Sequence, residues 1–466
     1  SVRLGCNLFH PITIEQSLAH DGVGEVPGIK DDDNQFDIRG HANRLVVVRE
    51  DELGLFGSLF DSVGTLPREA RLPIVHSREV LSVLRMLAEH PAQIREMDAC
   101  VQATKLWHEA DEQRRGTIRR SIGVSADAAS HVVGGPHFYV ANPLNKSPRP
   151  ECRHNQDYEC IDLQAIPPDY LPRTIYRPGV TQDEYRRRAP VLGQRPVLDY
   201  YRHVHRNMLA PTGERTLVPA LIPPGFGHVD AVYSVAATSH ELLLRLSSLL
   251  PTLPLDFLVR ASGSGHLWRD GLVRLPAARA ESPYLTALQA RILRLNCLTS
   301  HYADLWNDQW PRVAVGAAWS LEDPRLSPSP PAQETWTRAA PLRSHFERRW
   351  ALVEMDALAA LELGLSADEL CSIYRTQFPV LSDYEKNTWY DRNGRIVFTT
   401  NRGLPGVGHD RKTFQAWRAA LDNGAPPPED ADTDRYTPPF ETQDREADMR
   451  HAYQAFMPVG ADGART

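Results

Sequence analysis

Nine arginines and no lysine fall between residues 173 and 215: Arg173, Arg177, Arg186, Arg187, Arg188, Arg195, Arg202, Arg206 and Arg215. Only Asp183, Glu184, Asp199 and Glu214 oppose them, which leaves this segment at +5 in a chain whose formal charge is -7. A guanidinium fork binds phosphate oxygens or the edge of guanine through two parallel hydrogen bonds. Tyr176, Tyr185, Tyr200 and Tyr201 are interleaved with these forks and could stack on bases. Residue type alone leaves two readings open, a nucleic-acid face and a salt-bridged surface. Further along, Arg260, Ser262, Gly263, Ser264, Gly265, His266, Trp268 and Arg269 read as a loop of donors with one aromatic, and the turn at 223–228 is a second stretch able to meet a ligand.

Other constellations are weaker. Cys152, His154 and Cys160 offer three ligands where a structural zinc takes four, so two unrelated cysteines and a surface histidine are expected. Gly403, Gly406 and Gly408 are interrupted by Pro405 and lack the Gly-Lys-Ser or Gly-Lys-Thr of a phosphate loop. No Gly-x-Ser-x-Gly elbow occurs, and the Ser-Gly-Ser-Gly at 262–265 has no strand-to-helix context. Glu354 and Asp356 lie on one predicted helix, where a solvated face is the ordinary explanation and a magnesium-dependent nuclease the alternative. No catalytic and no metal-binding residue is assigned.

With 466 residues and 42% hydrophobic content, the chain can bury sizeable cores in two to four domains. Six cysteines are too few for a disulfide scaffold and fit a reducing, cytoplasmic setting. No stretch has the length and apolarity of a membrane span, and the first residues lack a signal-peptide pattern. The chain opens on Ser, which fits processing, trimming or a longer parent.

The elements that must position these groups follow from periodicity. Runs at 217–222 and 231–235, parted by Pro223, Pro224, Gly225 and Gly227, predict two strands joined by a tight loop. Ser239 caps the next helix, whose buried face is Leu242, Leu243, Leu246, Leu249 and Leu250 and whose stop is Pro251. Upstream, residues 1–40 with the acidic run Asp31, Asp32, Asp33 look irregular, 45–48 is a strand, and helices are predicted over 52–60, 78–89 behind Ser77, and 93–114. A strand at 138–140 precedes a proline-rich loop. Thr181 to Glu184 forms a capping box for a short helix, and 199–208 is predicted as another, with Arg202 and Arg206 on one face. A long helix over 285–306 ends before Pro311, and a Pro/Ser linker at 327–331 follows. Gly364 closes a helix over 346–361, Ser366 and Glu369 cap the next, and Asn393-Gly394 predicts a β-hairpin over 388–398. The last forty residues read as a partly ordered tail.

On these residues a resemblance emerges. RTLVPALIPPGFGHVDAVYSVA, LLLRLSSLLPTLPLDFLVRASGSGHLWRDGLVRLP and LRLNCLTSHYADLW resemble the C-terminal target-recognition region of large adenine-specific DNA methyltransferases. These are the single-chain restriction-modification type and their relatives in the DISARM and BREX phage-defence systems. LFHPITIEQSLAHDGVGEVPGIKDDD, YLPRTIY and IYRTQFPVLSDYEKNTWYDRNGRIVFTTNRGLPGVG are most similar to the DISARM methylase, so the resemblance covers nearly the whole chain. It implies methyl transfer from S-adenosylmethionine to adenine N6 in double-stranded DNA, with the base flipped out. That chemistry uses an Asn- or Asp-Pro-Pro-aromatic tetrapeptide, from which Asn142-Pro143-Leu144 and Pro167-Pro168-Asp169-Tyr170 both depart, and the glycine-rich cofactor loop is missing.

The resemblance therefore implies the DNA-recognition part, with the catalytic domain and S-adenosylmethionine upstream and no cofactor in this chain. The expected fold is α+β, short strands and helices flanked by helical layers with a C-terminal β-hairpin. Its expected regions are a mainly helical 1–140, a target-recognition domain with the basic segment at 141–280, a helix and linker at 281–345, and a helical hairpin, β-hairpin and tail at 346–466. The expected DNA-binding residues are Arg173, Arg177, Arg186, Arg187, Arg188, Arg202, Arg206, Arg215, Arg260, His266 and Arg269. Expected partners are double-stranded DNA, the upstream methyltransferase domain and other defence subunits, with no membrane. The alternative is a protein-interaction scaffold of a defence complex that does not touch DNA.

Overall fold

The computed structural model describes residues 1–31, 33–62, 64–154 and 156–458; Asp32 of the acidic run and residues 459–466 of the tail lie outside them. The fold is α+β. One four-stranded antiparallel sheet runs in the order Pro219–Ile222, Arg202–Arg206, Val232–Ala237, Val101–Thr104. A second sheet runs Gly227–His228, Val132–Val133, Arg173–Pro178, Ile118–Val124, with the first pair parallel.

The predicted helix over 199–208 is instead the strand Arg202–Arg206, inside the first sheet. Buried on both faces, Tyr-Arg-His-Val-His-Arg shows no polar and apolar alternation to mark a strand, although its β-branched and aromatic residues fit a pleated surface. Helical spacing of Arg202 and Arg206 misled because residues four apart also share a face in a strand. The predicted pair at 217–222 and 231–235 exists, but its two members flank this strand rather than each other. Residues 93–114 are not one helix: they divide into the 3-10 turn Ile94–Cys100, the strand Val101–Thr104 and the helix Glu109–Arg114. No strand forms at 138–140, where Tyr139 and Asn142 close a turn on each other. The first forty residues are more regular than expected, with the strand Val2–Gly5 and the helix Pro11–Ala19.

The edge strand Pro219–Ile222 would leave Leu221 with an unpaired amide and carbonyl. Asn296 Oδ1 accepts from the Leu221 amide at 2.9 Å, and the Tyr302 hydroxyl donates to its carbonyl at 2.9 Å. Both side chains come from the helical part, so the sheet edge is closed and the two halves are keyed together. The predicted long helix breaks at Cys297 into Leu285–Asn296 and Ala303–Val313, and the second carries Pro311 within it.

At the centre of the helical part lies His345–Leu363, started by the Ser344/Glu347 capping box and ended by Gly364 at φ +76°. Against it pack Leu253–Ala261, Leu285–Asn296, Ala367–Gln377 and Arg445–Phe456. The last of these is an ordered part of the expected partly ordered tail, and it buries Met449 and Ala452 completely. The Asn-Gly hairpin forms as predicted, Trp389–Tyr390 against Ile396–Phe398, with Gly394 at φ +75°. The main apolar cluster collects side chains from Cys6 to Ala452, across all four predicted regions.

Two charges inside this core test how it is held. Asp256 accepts from Arg215 Nε at 2.6 Å and from the Thr216 amide, and its residue exposure is 0%. Asp256→Ala would strand a buried guanidinium and is expected to lower the unfolding free energy by about 3–5 kcal/mol in urea titration. Arg186→Ala, which removes an exposed pair with Asp199, should stay within about 0.5–1 kcal/mol of the parent. Equal losses would show that Asp256 holds nothing that solvent cannot replace.

Candidate nucleic-acid interface

The fold sorts nine of the eleven expected DNA-binding residues into three groups; of the other two, Arg177 donates to the Val124 carbonyl and His266 is exposed. Arg202, Arg215 and Arg260 are interior, with exposures of 0%, 6% and 6%. Arg202 donates to the Phe226 carbonyl, and Arg215 pairs with Asp256. Arg260 lies within the helix Leu253–Ala261 rather than in a loop, and donates to Thr216 Oγ1 at 3.0 Å, the Gly213 carbonyl at 3.0 Å and the Gln377 carbonyl. A phosphate cannot reach these three without unfolding the core, so the structure removes them from the DNA-binding set. The turn at 223–228 also folds inward: Phe226, Gly227 and His228 are buried, and Gly225 at φ +89° sits against the Ala128 backbone.

A second group is exposed but paired. On the helix Gln182–Arg188, Arg186 meets Asp199 at 2.6 Å, and Arg187 and Arg188 share Glu184 at 2.6 and 2.8 Å. Arg173 pairs with Glu159, and Arg269 with Asp98. These contacts are of the solvent-exposed kind that contributes little and exchanges readily.

The third group lines a cleft of about 560 Å³, open between the second sheet and the short hairpin Lys146–Pro148/Tyr158–Cys160. Arg206, the last residue of the central strand, donates to the Gly135 carbonyl at 2.9 Å and the Phe138 carbonyl at 2.8 Å. Arg120 comes from Ile118–Val124, where it stands opposite Tyr176, and donates to the Cys152 carbonyl at 3.2 Å. Lys146 and Arg153 enter from the hairpin and its loop. Tyr158, Tyr176 and His137 supply aromatic walls, with the His137 and Tyr158 rings edge to face at 5.7 Å. Among the described residues no carboxylate lies within ion-pair distance of Arg120, Lys146, Arg153 or Arg206. Glu109 is the one acidic lining residue, and it is engaged by the Tyr176 hydroxyl.

Burial and the neighbouring Arg206 charge both hold the Lys146 ammonium below its ordinary pKa. On the other face of the same strand pair, Arg119 and Arg177 stand directly opposite each other. Like charges in such cross-strand positions repel, while inside the cleft low-dielectric walls concentrate the field of Arg120, Lys146, Arg153 and Arg206. The arrangement is therefore suited to an anion.

Sequence reasoning found Arg206 and missed Arg120, Lys146 and Arg153. The Arg119-Arg120 doublet and the run Lys146, Arg149, Arg153 were the available signals. Cys152 is buried with its thiol toward the His154 carbonyl at 3.5 Å, and among the described residues no three metal-ligating side chains converge. Glu354 is bound by Arg291 at 2.7 Å and Asp356 by Arg445 at 2.8 Å, so neither carboxylate is open to magnesium. Among the described residues no helix is long and apolar enough to cross a membrane. No protein-family model and no curated protein matches this chain.

Behind the cleft, several histidines are sealed in the core. His205 Nε2 lies 3.0 Å from the Leu267 carbonyl, and His228 Nε2 lies 2.7 Å from Ser234 Oγ. Burial lowers His205 to about 4, and burial with the Arg202 charge lowers His228 to about 3. Both are neutral, folded or unfolded, above their ordinary value of 6.5. Below it the unfolded chain takes up protons that the folded chain refuses, so stability must fall with pH. The urea midpoint should be level from about pH 8 to 7 and then decline toward about pH 4.5, each histidine adding up to about 1.4 kcal/mol per pH unit. A level profile over that acid range would show that these rings are hydrated in solution.

Proposed function

We propose that this chain is the DNA-recognition portion of a site-specific adenine-N6 DNA methyltransferase acting in phage defence, with methyl transfer and S-adenosylmethionine binding carried by a separate catalytic domain. The observation that carries the reading is the cleft itself: four cations with no carboxylate among the described residues within ion-pair distance, walled by aromatic rings, in a chain that is acidic overall. Such a surface takes the phosphate backbone, which fixes register and orientation, while base edges are read elsewhere. The resemblance along the chain supports the enzyme class.

Gly134 and Gly135 follow the strand Val132–Val133 but enter a 3-10 turn, so this loop does not open the helix that a glycine-rich cofactor loop leads into. A scaffold role draws on a different observation, the exposed apolar side chains near the N-terminus, among them Leu18 at 65%, Val23 at 74% and Phe36 at 55%. Patches of this kind mark protein contacts. The two readings part on DNA.

Fluorescence anisotropy with a labelled duplex, repeated across salt concentrations, tests this. Each phosphate neutralised contributes a slope of about -0.9 in log K against log salt, so four contacts predict about -3.6. Lys146→Ala and Arg153→Ala should each weaken all sequences alike and flatten the slope by about 1. Failure to bind duplex DNA at low salt, or binding insensitive to salt, would overturn the assignment and favour the scaffold.

A further inference from the structure

The mouth of the cleft continues into a surface that the phosphate contacts do not use. Met208 lines the cleft and is 68% exposed, although it is a large apolar side chain. It pairs by a backbone bridge with His266, also exposed. The His266 imidazole lies flat on the Trp268 indole, ring centroids 5.4 Å apart and planes within 5°. Trp268 is held in turn by the edge of Tyr233 at 5.6 Å and by the Lys105 ammonium, 4.0 Å from its centroid.

The loop that carries these rings is fixed rather than floppy. The Leu209 amide donates to the Gly265 carbonyl at 3.0 Å, the Leu267 amide to the Asn207 carbonyl at 3.1 Å, and Ser264 Oγ to the His266 carbonyl at 2.7 Å. A side chain added at Gly265 would meet nothing within 4 Å, so the ground beside His266 is open.

We propose that His266, backed by Trp268 and flanked by Met208, stacks on an unpaired base of the DNA strand whose phosphates enter the cationic cleft. The inference rests on the nucleic-acid reading of that cleft and goes beyond it, because it names the form of DNA preferred. A base inside a duplex has both faces covered by its neighbours and shows only its edge in a groove. An unstacked base exposes a π-face, and an aromatic platform beside a phosphate-tracking groove recovers about 1–3 kcal/mol per base. Lys105, over the Trp268 ring, carries the same sign as the cleft, while Arg269 is paired with Asp98.

The test compares three labelled DNAs, a fully paired duplex, the same duplex with one unpaired adenine, and a single strand, at one moderate salt concentration. The parent should bind the duplex with the unpaired adenine about 5-fold or more tighter than the paired one, the lower end of a single stacking contact. In the double variant Met208→Ala/His266→Ala that ratio should fall to about 1. Because both side chains are exposed, folding of the variant is checked by its unchanged urea midpoint. A ratio near 1 in the parent, or a ratio retained in the variant, overturns the platform while leaving the cleft standing. Binding to none of the three DNAs overturns both.

Discussion

The structure hangs on the ionised side chains buried along one helix, His345–Leu363. Glu347, Arg348, Arg349, Glu354, Asp356 and Glu362 are each less than one-tenth exposed. Charges taken so far from water must be met by partners, or the cost exceeds what the fold can spare. Each is met. Glu354 holds Arg291, Asp356 holds Arg445 and caps the Leu253 amide, and Glu362 holds Arg279. Arg349 spans Glu385 and Asp448. Among the described residues no carboxylate lies within ion-pair distance of Arg348, which donates instead to the carbonyls of Ala141, Leu295 and Leu342, while burial lowers its pKa to about 9. Apolar residues of similar volume would fill the same space, so the gain from these pairs is register: they leave one way for the helices to stack.

That register reaches the cleft through a short chain of contacts. Arg348 grips Ala141, whose amide bonds the edge strand at the Pro219 carbonyl, and Asn296 and Tyr302 hold the next turn of that strand at Leu221. The edge strand pairs with Arg202–Arg206, and the end of Arg202–Arg206 delivers Arg206 to the cleft. The arginine-rich segment is therefore not a uniform basic face. Of its nine guanidinium groups, those at 202 and 215 serve the core, those at 173, 186, 187 and 188 are neutralised at the surface, those at 177 and 195 donate to the Val124 and Asp199 carbonyls, and 206 meets lysine and arginine from elsewhere. Charge counted along a chain is not a map of potential.

Sequence reasoning did best where one local interaction decides the outcome. The Thr181 and Ser366 caps, the Gly364 terminus and the Asn393-Gly394 hairpin all depend on neighbours within a few residues, and all four formed. It failed at Arg202–Arg206, because a strand buried on both faces loses the contrast between inner and outer positions on which periodicity depends. It named no helix at Arg445–Phe456, because the acids and arginines there are taken up by Arg349, Asp356 and Arg375, which lie far off in the chain. In the cleft, Arg120, Lys146 and Arg153 lie on separate stretches and meet only through strand pairing. Nothing in their spacing announces a common site.

The cleft and the platform are linked by the most local feature of all, two residues of chain. Arg206 and Met208 both line the cleft, with a bend at Asn207 between them. Because the strand Arg202–Arg206 is locked in the sheet, their separation is set by the fold. On the proposed reading, a nucleic-acid strand meets the phosphate contacts and the platform at that fixed separation, and a form of DNA that already matches it is favoured over one that must be deformed.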